Sequence, residues 1–445
     1  MKANPLEKKR ILIEASKLSE HTNDGCKRYV IELLKGFKRL ELQWENKWEI
    51  DIYFEGRTFP LKDISPTKFP FKPFENSNAV ATSLKKNTIL SAFKLKTGTF
   101  LKKTLSAASY TRLVNYKHQQ YHLRKRTENR IKDVLKKTYF QVKGIGASQH
   151  NYDLIHLPLP VHFGFPYSKK TQFLTTIHDF THLLFPEFHL PINIYHTEKG
   201  IQYALKRNSS WIAISQSTKD DLIKYCKVSA NKVFTIHEAA DRDQFKSDFD
   251  EDIISKVLKK YNIPNKTYFL SLSTLEPRKN ITNIIKAFNL LLEENPNFDI
   301  YMIVSGKIGW KMTDLLNGTL NKKNKRIIFT GFVDDEDLPK LYSKARALTY
   351  VSYYEGFGLP PLEAMSCGTP VVYGNNSSQI EIVGDSGLAA DPKSVTDIKN
   401  QMYKLYTDEE LFVELKQRAL KRSAMFTWDR CVDETISCYN TLLSS

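Results

Sequence analysis

Tyr353-Tyr-Glu-Gly-Phe-Gly-Leu-Pro-Pro-Leu-Glu-Ala-Met365 follows an apolar run over 347–351 that reads as a buried strand. Gly356 and Gly358 let the backbone come close to a ligand, and the paired prolines at 360 and 361 suit the start of a helix. Glu355 then falls in the connecting loop, with Phe357 and Leu359 beside the glycines, and Glu363 falls in the first helical turn. A helix N-terminus offers free amides and a partial positive charge, which favour an anion such as a diphosphate. Two carboxylates eight positions apart can each hold sugar hydroxyls. Taken alone, the same thirteen residues also fit an ordinary strand–loop–helix turn whose carboxylates cap or face solvent. The flanking sequence decides.

Upstream, apolar strands are expected over 268–273, 300–304 and 326–329, with helices over 281–292 and 336–344, a second alternating series of Rossmann type. An acidic stretch over 241–252 and a helix over 253–261 precede it and read as the interdomain linker. Before the linker, strands are expected over 10–15, 48–54, 152–157, 172–177, 211–214 and 232–236, with helices over 28–40, 197–206 and 217–225. A loop over 19–27 carries Gly25. The chain has 445 residues, more than one core of about 100–200 residues uses. The expected fold is therefore α/β, two Rossmann-like domains facing each other across a cleft. Residues 1–245 form the first, 246–425 the second, and a helix within 426–445 crosses back. In such sheets ligands bind beyond the carboxyl ends of the strands, so site residues should follow strands.

The five cysteines are scattered and lack the close pairs of a zinc site or disulfide framework. The polar, basic start of the chain is unlike a signal peptide, and nowhere do about 18 apolar residues run together. A cytoplasmic location is expected. The formal net charge is +17, and most of it sits in residues 84–143, where twelve Lys and four Arg face only Glu128 and Asp133. Apolar residues at near-helical spacing there suggest amphipathic basic helices.

Residues 355–372 resemble the donor-site signature of the family 4 glycosyltransferases, whose fold is GT-B and whose motif has two glutamates with seven residues between them. The resemblance extends through Ser271-Leu-Ser-Thr-Leu-Glu-Pro-Arg-Lys-Asn-Ile and through Thr330-Gly-Phe-Val, which brings Gly331 and Val333 to the donor side. It covers nearly the whole chain and is weakest over 54–149. The resemblance implies that Arg278 and Lys279 stabilise the departing nucleoside diphosphate, and that Glu355 and His178 position the hexose. It further implies that Glu363 holds the ribose, with transfer retaining the anomeric configuration. Gly25 matches the family's glycine-rich loop near donor phosphate or acceptor, and Arg28-Tyr29 an Arg-Tyr pair on the acceptor side, although Cys26-Lys27 departs from the usual pattern. Asp179 either orients the His178 imidazole, lines the wall of the first domain, or caps the segment that follows.

Asp-x-Asp pairs at 241–243, 248–250 and 250–252 fall in the acidic linker and read as solvated charge, so neither a metal nor a cofactor is expected. The donor is a nucleotide sugar as substrate, and similar Glu-Pro-Arg-Lys-Asn segments favour GDP-mannose. A glycan or lipid-linked glycan is the expected acceptor, in cell-surface polysaccharide synthesis. The basic segment suits an anionic membrane surface, because each Lys or Arg near acidic lipid contributes about 1 kcal/mol. That makes the protein peripheral on the inner face of the membrane. The competing class, a basic nucleic-acid- or anion-binding protein without transferase activity, leaves the cleft motifs unused, and no recognised nucleic-acid motif is present. No nucleic-acid partner is expected.

Overall fold

Ile11, Leu12 and Ile13 are wholly buried, as a parallel strand covered on both faces requires. They form the middle of β1 (Lys9–Glu14) in a computed structural model that describes residues 8–20, 24–54, 56–64, 151–164, 167–307 and 324–444. The basic segment 84–143 lies outside the described residues. The chain divides into a unit of residues 1–66, 152–163 and 170–445, which holds both sheets, and a second of 67–151 and 164–169.

The first sheet contains β1, β2 (Trp48–Phe54), β3 (Arg57–Pro60), β4 (Leu154–Leu157), β5 (Gln172–Ile177), β6 (Ser210–Ala213) and β7 (Val233–Thr235). Among the described residues its order is β3-β2-β1-β4-β5-β6-β7, with β3 antiparallel to β2 and the other pairs parallel. The second sheet contains β8 (Thr267–Leu272), β9 (Ile300–Ser305), β10 (Ile327–Gly331), β11 (Ala347–Tyr350), β12 (Val371–Gly374) and β13 (Gly387–Ala390). It runs β10-β9-β8-β11-β12-β13, every pair parallel. This is the doubly wound order 3-2-1-4-5-6, whose switch point lies between its first and fourth strands, here β8 and β11. The helices Ile281–Glu294 and Val395–Thr407 cover one core of the second sheet through Ile284, Phe288, Ile398 and Met402, packed on Phe269, Met302 and Val304. In the first, Ile177, Phe180, Trp211 and Leu222 form a corresponding cluster.

The C-terminal helix Trp428–Ser444 packs on the helix Gly25–Arg39 of the first lobe. Gly36 makes the approach possible, since a Cβ there would lie 2.3 Å from Val432 Cγ2. Tyr439 stacks on Phe37 at 5.5 Å between ring centroids, and its hydroxyl meets His156 Nδ1 at 2.7 Å. Burial of a large side chain of this kind contributes about 1.5–3 kcal/mol.

Several expected boundaries move. Gly25 is not in a loop but is the first residue of its helix, because the Asp24 carboxylate accepts from Lys27 N at 2.9 Å and caps the helix there. The helix expected from 197 starts at Pro191, whose ring presets the helical φ at the first turn. The helix Leu359–Ser366 begins one residue before its prolines, which puts Glu363 in the second turn rather than the first.

Candidate active site

The turn after β8 and the loop after β11 flank the switch point of the second sheet, and Asn280 fastens them together. It sits at φ 60°, a left-handed conformation that Asn tolerates, and its side-chain amide donates to Val351 O at 3.0 Å and Pro392 O at 2.7 Å. Tyr353 N donates to Arg278 O at 3.0 Å. Arg278 and Lys279 therefore stand directly under Glu355. Arg278 donates to Glu355 Oε2 at 3.0 Å, to Tyr354 O at 2.7 Å and to Glu276 Oε1 at 2.7 Å. Lys279 Nζ reaches both Glu355 oxygens at 2.8 and 3.0 Å and the Tyr350 hydroxyl at 2.7 Å.

Burial alone would raise the pKa of Glu355, but Arg278 and Lys279 outweigh it and hold the carboxyl down at about 2. Burial and the neighbouring guanidinium push Lys279 below its ordinary value. Two cations and two carboxylates, Glu276 being the second, make a largely buried cluster with no net charge. Its hydrogen-bond donors are preset before any ligand arrives. Nothing in the Glu-Pro-Arg-Lys-Asn segment marks Glu276 as the partner of Arg278, and the pairing is visible only in the Arg278 fork.

The loop of Glu355 is clamped from the following strand–helix connection. Glu355 N donates to Ser377 Oγ at 3.0 Å, and Ser378 Oγ donates to Glu355 O at 2.9 Å and Phe357 O at 2.7 Å. Gly356 lies so close to the first lobe that a Cβ would sit 1.9 Å from His178 O. Gly358, at φ 113°, is the N-cap of the helix Leu359–Ser366. Because Pro360 and Pro361 have no N–H, the helix keeps fewer free amides than a typical N-terminus, Leu359 supplying the one within its first three positions. An anion there relies more on the cation cluster than the sequence suggests.

Glu363 is almost fully buried, and the Tyr342 hydroxyl donates to its Oε2 at 3.1 Å. Its Oε1 accepts from Arg28, which the sequence assigns to the acceptor side and which here crosses from the first lobe. Gly25 faces Leu359, whose Cδ1 would lie 3.4 Å from an added Cβ. Gly331 ends β10 at φ 72°, and its carbonyl accepts from Gly306 N at 2.7 Å, while Val333 is buried nearby in sequence.

His178 follows β5, as expected, but its partner is one the sequence did not single out. Nδ1 stands 3.1 Å from Glu238 Oε1 and Nε2 stands 3.0 Å from Pro158 O. Burial opposes the charged imidazole, yet Glu238 outweighs it and the pKa is raised. The Asp179 carboxylate turns toward the segment that follows it, and its Cβ lies against Gly356 of the second lobe. Its Oδ1 accepts from Thr181 N at 3.0 Å and from Thr181 Oγ1 at 2.8 Å. Tyr29 is buried, with its ring edge-on to His178 at 5.1 Å and its hydroxyl 3.2 Å from Thr176 Oγ1. His156 continues that chain, with Nε2 at 2.9 Å from Thr176 Oγ1, to Tyr439.

Further contacts join the lobes at the same edge. Ser215 Oγ donates to Gly356 O at 2.6 Å, and the Tyr354 hydroxyl donates to Asp221. Both Glu381 oxygens accept from Gln216 N at 2.9 Å at the start of the helix Gln216–Cys226, and Oε1 meets His237 Nε2 at 2.6 Å. Asp241 is engaged by its own turn, accepting from Asp243 N at 3.0 Å. Among the described residues no three His, Cys, Asp or Glu side chains are grouped to hold a metal ion. Among those residues, too, no helix is long and apolar enough to cross a membrane.

The profile of glycosyl transferases group 1 matches residues 254–422, and that of glycosyltransferase family 4 matches residues 110–244. O-antigen chain mannosyltransferase B of Escherichia coli is 35% identical over 271 residues, 60% of this chain and 70% of that protein. Serotype-specific mannosyltransferase WbdA of the same species is 34% identical over 243 residues, 54% of this chain but only 30% of WbdA. Among solved structures, HepE of Anabaena in complex with UDP and glucose superposes with a TM-score of 0.58 at 17% identity, covering 97% of this chain and 100% of that one. A glycosyltransferase from Rickettsia africae gives 0.62 at 17% identity, covering 98% and 99%. At such identities the structural likeness speaks to the fold.

Proposed function

The chain belongs to the family 4 glycosyltransferases of GT-B fold, and on that premise we propose that it is a retaining hexosyltransferase using a nucleotide-diphosphate sugar, GDP-mannose favoured. The observation that carries the reading is the largely buried Arg278, Lys279 and Glu355 cluster at the switch point of the second sheet, next to the His178 edge of the first. A diphosphate arriving there meets a guanidinium and an ammonium already oriented by Glu276, Glu355 and Tyr350. Charge that builds on the leaving oxygen is then met without reorganisation, which is where such sites gain most of their rate.

In the proposed reaction the bond from the anomeric carbon to the diphosphate oxygen breaks and a bond to an acceptor hydroxyl forms on the same face. The hydroxyl proton passes to the departing diphosphate. Glu355 and His178 position the hexose and Glu363 the ribose, so catalysis consists of placement and electrostatics. The acceptor is a glycan or lipid-linked glycan in cell-surface polysaccharide synthesis, a reading supported by the mannosyltransferases the chain is similar to. We assign the protein to the cytoplasmic face of the membrane, held there by residues 84–143.

The stereochemistry has a direct test. Proton NMR of the sugar released from GDP-mannose by slow hydrolysis, read before mutarotation, should show the α anomer. Initial release of the β anomer would overturn retention.

A further inference from the structure

His178 is held between two acceptors. A carbonyl oxygen such as that of Pro158 can only accept, so Nε2, 3.0 Å away, carries a proton. A carboxylate oxygen accepts as well, and Glu238 Oε1, which has no hydrogen-bond partner elsewhere, lies 3.1 Å from Nδ1, at ion-pair distance. An imidazole that donates at both nitrogens is an imidazolium. Glu238 is buried and the His178 side chain is only 13% exposed, so the pair is largely shielded from water. The remaining titratable groups around the pair do not supply a rival proton. Tyr29 and the thiols of Cys26 and Cys431 are all pushed up by burial and stay neutral, while the Asp179 carboxylate favours the cation.

We propose that Glu238 is a positioning residue for the transfer reaction: it fixes the orientation of His178 and keeps its ring doubly protonated, so that Nε2 is always a donor. The proposal rests on the transferase reading above for its functional consequence. Pro158 O is the resting acceptor of that donor, and a hydroxyl or phosphate oxygen of the donor substrate is the group that replaces it. Without the carboxylate, the ring would lose a proton, and a lone pair could face the substrate instead. The His178 main chain supports the same alignment, since its carbonyl lies against Gly356 and receives Thr218 Oγ1 at 3.3 Å. Glu238 touches the imidazole and not the reacting atoms, and so acts through it.

The test uses the full chain labelled with [15N]histidine, with the His178 signals identified by their loss in His178→Asn. Both ring nitrogens should be protonated at about pH 7, and His178 should titrate above the ordinary histidine range. In Glu238→Gln the ring should titrate at lower pH. Its turnover of nucleotide sugar should fall at least about tenfold between about pH 6 and pH 8, where the unmodified protein holds its rate, with KM little changed. Glu238→Asp, which restores the charge, should recover part of the alkaline activity. An unmodified protein whose His178 lacks the Nδ1 proton at neutral pH would overturn the proposal, even if Glu238→Gln did not fold. So would a Glu238→Gln protein with an unchanged His178 titration. Because the spectrum needs no substrate, a failure of the transferase reading would be told apart from a failure of this one.

Discussion

At the scale of single residues, Arg278 is the side chain on which most depends. It forks between Glu355 and Glu276, and replacing it by alanine leaves Lys279 as the sole cation among two buried carboxylates. Arg278→Ala should lower the transfer rate by roughly a hundredfold or more, in line with the loss of a preset charge-stabilising donor, in an assay of nucleotide release. Its motif made Arg278 legible in the sequence, as it did Lys279, Glu355 and Glu363. Glu238 was not, because nothing local marks a carboxylate 60 positions from the histidine it contacts. His156 gives a pH prediction. Burial pushes its pKa down from 6.5 to about 3, so the folded protein keeps it neutral while the unfolded chain takes up a proton. That contribution is present in full above 6.5 and is lost as pH falls toward about 3, at roughly 1.4 kcal/mol per pH unit. Glu355, held at about 2 against 4.5 unfolded, contributes above 4.5 and is lost lower still. Thermal melts should therefore show stability falling below about pH 6.5. His156→Gln should start lower at neutral pH yet lose less on acidification, and an equal acid slope in both proteins would contradict this account.

At the scale of elements, most strands were legible as alternating or apolar runs ended by a turn, as in Trp48–Phe54 and Gln172–Ile177, while the short strands Arg57–Pro60, Val371–Gly374 and Gly387–Ala390 were not. Helix starts were less so. The cap at Asp24 and the early start at Pro191 depend on which amide a side chain reaches, and periodicity does not reveal that. The seat of the C-terminal helix is a further case, since a lone glycine at 36 gave no hint that Val432 would lie against it. Gly36→Ala should destabilise the protein by about 1–3 kcal/mol in urea unfolding, through overpacking against Val432. Pairing it with Val432→Ala should recover part of that loss, because the two sites share one contact. Strict additivity would mean that the helix is not seated through this pair.

At the scale of the molecule, a doubly wound second sheet and a largely parallel first sheet place the cation cluster and the His178–Glu238 pair at one edge. The alternation of strands and helices made the two sheets legible in advance. The links between lobes were not: Arg28 meets Glu363 from 335 positions away, and Gly356 meets the His178 backbone because it lacks a side chain. Family membership follows from sequence and fold together, whereas the donor rests on chemistry that substrates must test. The most direct measurement incubates the purified chain with a panel of nucleotide sugars and follows thermal shift and slow nucleotide release, neither of which needs the acceptor. GDP-mannose should raise the melting temperature and be hydrolysed slowly, and Arg278→Ala should lose the hydrolysis. A chain that responds to no nucleotide sugar would contradict the account.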